Sequence, residues 1–307
     1  MRVVALSGGV GGARFLRGLV RSTDPAEVTV VGNVGDDVEV LGMHVSPDLD
    51  SVLYALAGVA DDERGWGRAD ESWVAYEEAS RLGGESWFML GDRDLGLHLV
   101  RTQALARGEP LSAVTARLAA AFGIEATLVP ATDDRLRTWI ETPDGDFPFQ
   151  EWFVARRHRD DVDRVRFEGE ESALPAPGVV EAIERAELIV ICPSNPFISV
   201  WPILAVEEIK AAIERRRVPS VAVSPLVSGR AIKGPADRML ERLAGGTSPV
   251  RVAGCYPDVI DVLLFDESDA ARASAVEREG VRAVTAPTLM TDVAAAAAVA
   301  EAVLACA

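Results

Sequence analysis

One recurring unit restricts the fold of this chain more than any other feature. It is a short run of valine, isoleucine and leucine that stops abruptly at Gly, Ser, Asn or Pro. Arg2–Leu6 stops at Ser7-Gly8-Gly9, Val28–Val31 at Gly32-Asn33, Leu188–Cys192 at Pro193-Ser194-Asn195-Pro196, and Ser220–Val223 at Ser224-Pro225. Apolar runs this short, without polar alternation, read as strands buried on both faces of a helix-covered parallel sheet. Arg14–Val20 has apolar residues at helical spacing, so the chain opens as strand, glycine loop, helix, strand. That opening predicts an α/β fold, a Rossmann-like three-layer parallel sheet.

The pattern then changes. From Leu49 to about Gly123 the periodicities are helical and no convincing strand interrupts them. The run is too long for one crossover helix, so an inserted helical subdomain is expected over residues 49–123, with a loop at Gly65-Trp66-Gly67. The Rossmann-like core is then expected to comprise residues 1–48 and 124–307. Thr127–Val129 resumes strand character, and Leu136–Phe153 reads as a β excursion turning at Pro143-Asp144-Gly145. Residues 160–177 read as surface, Ile203–Glu214 and Asp237–Leu243 as helices, Val259–Phe265 and Val281–Val284 as strands, and the tail as an alanine-rich helix.

The formal net charge of -17 argues against a basic nucleic-acid-binding face. Cys192, Cys255 and Cys306 are scattered and no CxxC occurs, which argues against a zinc site or a disulfide framework. No stretch reads as a signal peptide or a membrane span, so a cytoplasmic, soluble protein is expected.

Ligands of open parallel sheets bind beyond the carboxyl ends of the strands, and every chemically rich loop here follows a strand. In SGGVGGARF, the glycines Gly8, Gly9, Gly11 and Gly12 would let backbone amides and a helix N-terminus approach a phosphate; the plainer reading is a tight strand–helix turn. GNVGDD supplies Asp36 and Asp37, and SPDLD supplies Asp48 and Asp50. Carboxylates facing a phosphate loop require a divalent cation between them, and Mg²⁺ is the usual one. Ser194 and Asn195 offer polar groups, or a helix cap, at the third strand end. Lys233, one of two lysines, lies in the fourth loop with Arg230 nearby. In WFMLGDRDL, Asp94 reads as a helix cap, Asp92 with Arg93 as an ion pair, and His98 beyond them as a packed histidine.

Seven motifs in this order, GGVGGARF, GNVGDD, SPDLD, GWG, WFMLGDRDL, PSNP and SPLVSGRAIKGP, resemble the 2-phospho-L-lactate transferases of coenzyme F420 biosynthesis, the archaeal CofD and actinobacterial FbiA proteins. The resemblance runs from Arg2 to about Met239. It implies a guanosine-diphospho donor carrying lactate or enolpyruvate, transfer of the organophosphate to the ribityl hydroxyl of the deazaflavin Fo, and release of GMP. It also implies Mg²⁺, a homodimer, and Asp36 and Asp50 as catalytic and metal-binding carboxylates, with Asp50 meeting Fo. The family's basic residue in the WF-x-LGD motif falls here on Met89, with Arg93 as its substitute. Gly8, Gly9, Gly11, Gly12, Ser194, Asn195 and Lys233 would hold the nucleotide. A related gluconeogenesis-factor family of nucleotide-sugar-binding regulators is the alternative, and GNVGDD argues against it. A dinucleotide oxidoreductase would want an acid closing the second strand, where this chain has Gly32-Asn33.

Overall fold

A computed structural model describes residues 1–307. Strand β1 (Val3–Ser7) runs into α1 (Gly9–Ser22) and returns through β2 (Val28–Gly32). A hairpin of β3 (Val38–Val40) and β4 (Met43–Val45) follows. Four helices come next: α2 (Pro47–Leu56), α3 (Val74–Arg81), α4 (Asp92–Ala106) and α5 (Leu111–Ala121). β5 (Thr127–Pro130) precedes an antiparallel excursion of β6 (Arg137–Thr142), β7 (Gly145–Pro148) and β8 (Arg164–Glu168). The second half runs α6 (Val179–Arg185), β9 (Leu188–Ile191), α7 (Trp201–Leu204), α8 (Glu207–Glu214) and β10 (Ser220–Val223). A short hairpin, β11 (Leu226–Val227) and β12 (Arg230–Ala231), leads to α9 (Ala236–Ala244) and α10 (Pro249–Ala253). The chain ends with β13 (Val262–Asp266), α11 (Ala273–Glu277), β14 (Arg282–Ala286) and α12 (Val293–Leu304).

Seven strands form one parallel sheet in the order β14-β13-β10-β9-β1-β2-β5. From β1 the first half of the chain builds outward one way and the second half the other. The order therefore reverses between β1 and β9, where a crevice opens beyond the strand ends. The inner strands VVALS, LIVI and SVAV are buried throughout, which is why they carry no polar alternation. Alanine-rich α12 packs so closely on α1 that a Cβ on Gly18 would lie 2.2 Å from Ala296 backbone. Both chain ends lie at the other end of the sheet: Arg2 exchanges hydrogen bonds with Glu187, just before β9, and Arg282, at the start of β14, donates to the Cys306 carbonyl at 3.0 Å. No helix is long and apolar enough to cross a membrane.

Two local differences from the sequence reading have physical causes. The β3–β4 hairpin has three-residue arms, too short for a period-two pattern, and it turns on Leu41 and Gly42 at positive φ. Residues 160–177 contribute β8, a charged edge strand whose wet face hides its strand character. The helix expected over 203–214 is split into α7 and α8, and the strand expected from Val259 begins at Val262. The helical segment shares the main core: Leu49, Leu53, Leu97, Val114 and Leu118 belong to the same 72-residue apolar cluster as the sheet. Its first helix starts at Pro47, so the 48/49 boundary falls inside the first turn of α2.

Candidate active site

The crevice is a cavity of about 490 Å³, walled by the loops after β1, β2, β9, β10 and β14. Its lining combines polar groups of the glycine loop, Asp36, Asp48 and Ser194 with the aromatic rings of Trp66, Phe88, Phe149 and Phe153.

The glycines have different reasons to be there. Gly9 has φ +68°, the left-handed region, and its missing Cβ would meet only Ser199 Oγ at 3.6 Å. Gly12 is a close-packing position instead: a Cβ there would lie 2.4 Å from Ser7 Oγ and 2.7 Å from Ser194 Oγ. Gly8 and Gly11 are pressed in the same way, against Asp48 and the Pro193 carbonyl. Turn packing and open approach to a ligand thus coexist in one loop.

Asp36 and Asp48 both reach the cavity, and both are buried. Burial, and then the neighbouring Asp48 charge, push the Asp36 carboxyl well above its usual range. Its Oδ1 is buried and has no partner in the chain. Burial likewise raises Asp48 to about 6, against stabilising hydrogen bonds from the Asn33 side chain and the Gly9 amide. Asn33 is the hinge pin of this arrangement. Its Nδ2 donates to Asp48 Oδ2 at 2.9 Å and to the Ile198 carbonyl at 3.1 Å, while its Oδ1 accepts from Gly35 N at 2.7 Å. One side chain so ties the second loop to α2 and to the third loop. Asp37 turns away and accepts from Ser46 Oγ at 3.0 Å and pairs with His44 Nε2 at 2.8 Å, bracing the β3–β4 hairpin.

Asp50 has a different environment from the one its motif implies. It is buried, and Arg101 of α4 holds it by two hydrogen bonds, Nη1 to Oδ2 at 3.0 Å and Nη2 to Oδ1. His98 Nδ1 lies 3.8 Å away, and burial lowers that imidazole to about 4. Asp50 does not line the cavity. Helix geometry is the reason: because α2 begins at Pro47, residues two apart face different sides, and Asp48 takes the cavity side.

Met89 and Arg93 also stay outside the cavity wall, where their neighbour Phe88 stands. The expected Asp92–Arg93 ion pair is replaced by reciprocal capping. Asp92 accepts from the Val74 and Ala75 amides at the start of α3, and Glu71 accepts from the Arg93 and Asp94 amides at the start of α4. Asp94 itself accepts from Tyr54 Oη at 2.5 Å.

The third loop serves two purposes. Ser194 Oγ donates to the Gly8 carbonyl at 2.7 Å, and Asn195 Oδ1 caps the next turn through Phe197 N at 3.0 Å; both residues also line the cavity. Lys233 also lines the cavity, and its Nζ lies against Gly65 in the helical segment. Three contributors escaped the sequence reading: Asn33, Arg14 and the Thr288–Thr291 loop after β14. Applying the strand-end rule to the last strand as well would have found the loop. Asn33, a polar residue closing a buried strand, carried a similar signal.

The comparisons with known proteins bear directly on this site. The profile of the family described as 2-phospho-L-lactate transferase CofD matches residues 3–302. A phosphoenolpyruvate transferase of Streptomyces griseus subsp. griseus is 44% identical over 306 residues, 98% of this chain and 96% of the relative. The phosphoenolpyruvate transferase of Kitasatospora aureofaciens is 43% identical, over 99% of this chain and 97% of its own. A solved structure of a UPF0052-family protein from Bacillus halodurans superposes with a TM-score of 0.65 at 20% identity, over 98% of each chain, and so shares the fold. With its profile matched over nearly the whole length and relatives above 40% identity, the chain belongs to the 2-phospho-L-lactate transferase CofD family, a family of enzymes that transfer phosphorus-containing groups.

Proposed function

We propose that this enzyme transfers a phosphoenolpyruvyl or phospholactyl group from a guanosine-diphospho donor to the ribityl hydroxyl of the deazaflavin Fo, releasing GMP. The observation that carries this reading is one cavity lined both by the glycine loop with Asp36 and Asp48 and by the aromatic rings of Trp66, Phe88, Phe149 and Phe153. A diphosphate donor needs amide donors and cationic help at the first, and a planar acceptor needs apolar faces at the second.

The donor set fits Mg²⁺. No three His, Cys, Asp or Glu residues converge into a self-contained metal site, but Mg²⁺ characteristically takes one or two carboxylates and completes its shell with water and substrate phosphate. Asp36, with a buried oxygen that lacks a partner, and Asp48 would hold it. When bound, the ion would neutralise the diphosphate and the GMP that leaves. Asn33 fixes Asp48 in place, and Ser194 fixes the backbone of Gly8. Phe88, Trp66, Phe149 and Phe153 would sandwich the acceptor ring, and Lys233 would balance donor charge.

Incubation with Fo, Mg²⁺ and GDP-linked lactate or enolpyruvate, read by mass spectrometry, tests the proposal. Formation of F420-0 or its dehydro form with stoichiometric GMP supports it. Donor consumption that does not require Fo refutes the acceptor assignment. The names of the 43–44% identical relatives favour enolpyruvate as the donor acid.

A further inference from the structure

The geometry points to Arg14 as the residue that reads the carboxylate of the donor's three-carbon acid, an assignment that rests on the donor proposed above. Arg14 follows Gly11 by three residues on α1, so it stands on the same helix face as the glycine loop. Only two cations line the main cavity, Arg14 and Lys233, against the carboxylates Asp36 and Asp48.

Arg14 takes part in no ion pair or side-chain hydrogen bond of the chain, whereas Arg17, one turn on, is matched to Asp62 at 2.7 Å. A half-buried guanidinium left unmatched in a chain of net charge -17 is held in reserve for something else. Its planar fork suits carboxylate or phosphate equally.

Size separates the two. Arg14, Val10, Ser51 and Trp66 line the main cavity and also a side recess of about 30 Å³. That is room for about two water-sized groups, the size of a carboxylate. A base, a ribose or a deazaflavin ring cannot enter. The diphosphate is internal to the donor, flanked on both sides by larger groups, and cannot enter a recess of this size as an end group does. The terminal carboxylate of the acid can. The recess carries two carboxylates of its own, Asp61 and Asp62, and both are neutralised, by Arg64 at 3.2 Å and by Arg17. Arg14 is the one guanidinium there that remains to meet an anion.

Calorimetric titration of wild type and Arg14→Gln with GMP, GDP, GDP-linked lactate and its carboxamide analogue tests the assignment. Arg14→Gln should weaken GDP-linked lactate tenfold or more while GMP and GDP stay within about twofold, the preference expected when a charge-assisted bidentate contact is lost. The carboxamide should bind wild type as weakly as GDP-linked lactate binds the variant, and it should lose nothing further in the variant. Equal weakening of GDP and the donor would place Arg14 on phosphate and overturn the assignment. Unchanged donor affinity would overturn it too. A folded wild-type protein that binds no guanosine nucleotide would instead sink the donor reading itself, and the carboxylate assignment with it.

Discussion

Asp50→Asn probes the interior beneath the cavity. In the native chain the Asp50 and Arg101 side chains are 6% and 0% exposed, and His98 packs beside them. Asparagine keeps the shape of aspartate but removes the charge, leaving a buried guanidinium with one neutral acceptor. Stranding one member of a buried pair typically costs about 3–5 kcal/mol. The retained acceptor oxygen puts this case at the low end, about 3 kcal/mol. In a chain of 307 residues that corresponds to a fall in melting temperature of about 5 °C. Adding Arg101→Met removes the stranded charge, and the double variant should recover most of the loss, as a double-mutant cycle reads directly. The assay is scanning calorimetry of ligand-free protein at neutral pH. A single variant melting within about 2 °C of wild type, with the double variant lower, would refute the buried pair and restore Asp50 to the ligand side.

Four further outcomes follow from the geometry. Asp48→Asn keeps an acceptor for Asn33 and relieves repulsion on Asp36, so it should melt at or above wild type yet lose on the order of a hundredfold in turnover; normal turnover would exclude Asp48 from the site. Gly12→Val should destabilise by about 2–4 kcal/mol through overpacking against buried Ser7 and Ser194, whereas Gly9→Ala, which faces open space, should cost only the αL strain of about 1–2 kcal/mol; equal melting curves would contradict this split. His98, lowered to about 4 from 6.5, contributes stability that is full above about 6.5 and drains away as pH falls towards 4. The stability difference between wild type and His98→Asn should shrink with acid in urea titrations, and a pH-independent difference would disprove it. Asp48 and Asp94, raised to about 6, act oppositely, favouring the folded chain at low pH and losing that advantage as pH rises through 6. Excess EDTA should abolish turnover, and activity surviving it would remove Mg²⁺ from the mechanism.

The sheet could be read from sequence because parallel strands, buried on both faces, print themselves as uninterrupted apolar runs. LIVI and VVALS needed no partner information. Strand ends then located four of the loops around the cavity. What could not be read depended on three-dimensional phase. Whether Asp48 or Asp50 faces the ligand is decided by where α2 starts, since one residue rotates the side chain by about 100°. The Asp50–Arg101 pair joins positions 51 apart, which no local pattern encodes. The β3–β4 arms are shorter than the window in which alternation becomes visible. Lys233 could be singled out by its rarity, but its approach to Gly65 could not.

The parallel sheet also has a practical polarity. The cavity opens beyond the carboxyl ends of the strands, whereas Arg2 is fastened to Glu187 before β9 and Cys306 to Arg282 at the start of β14. A five-residue strand such as β1 therefore separates either terminus from the cavity by about 17 Å of sheet. A tag, a surface anchor or a fused partner enzyme attached at either end would leave the mouth of the cavity facing outward. The same protein immobilised through Lys233, one of its two lysines, would be fixed to the support by its own entrance.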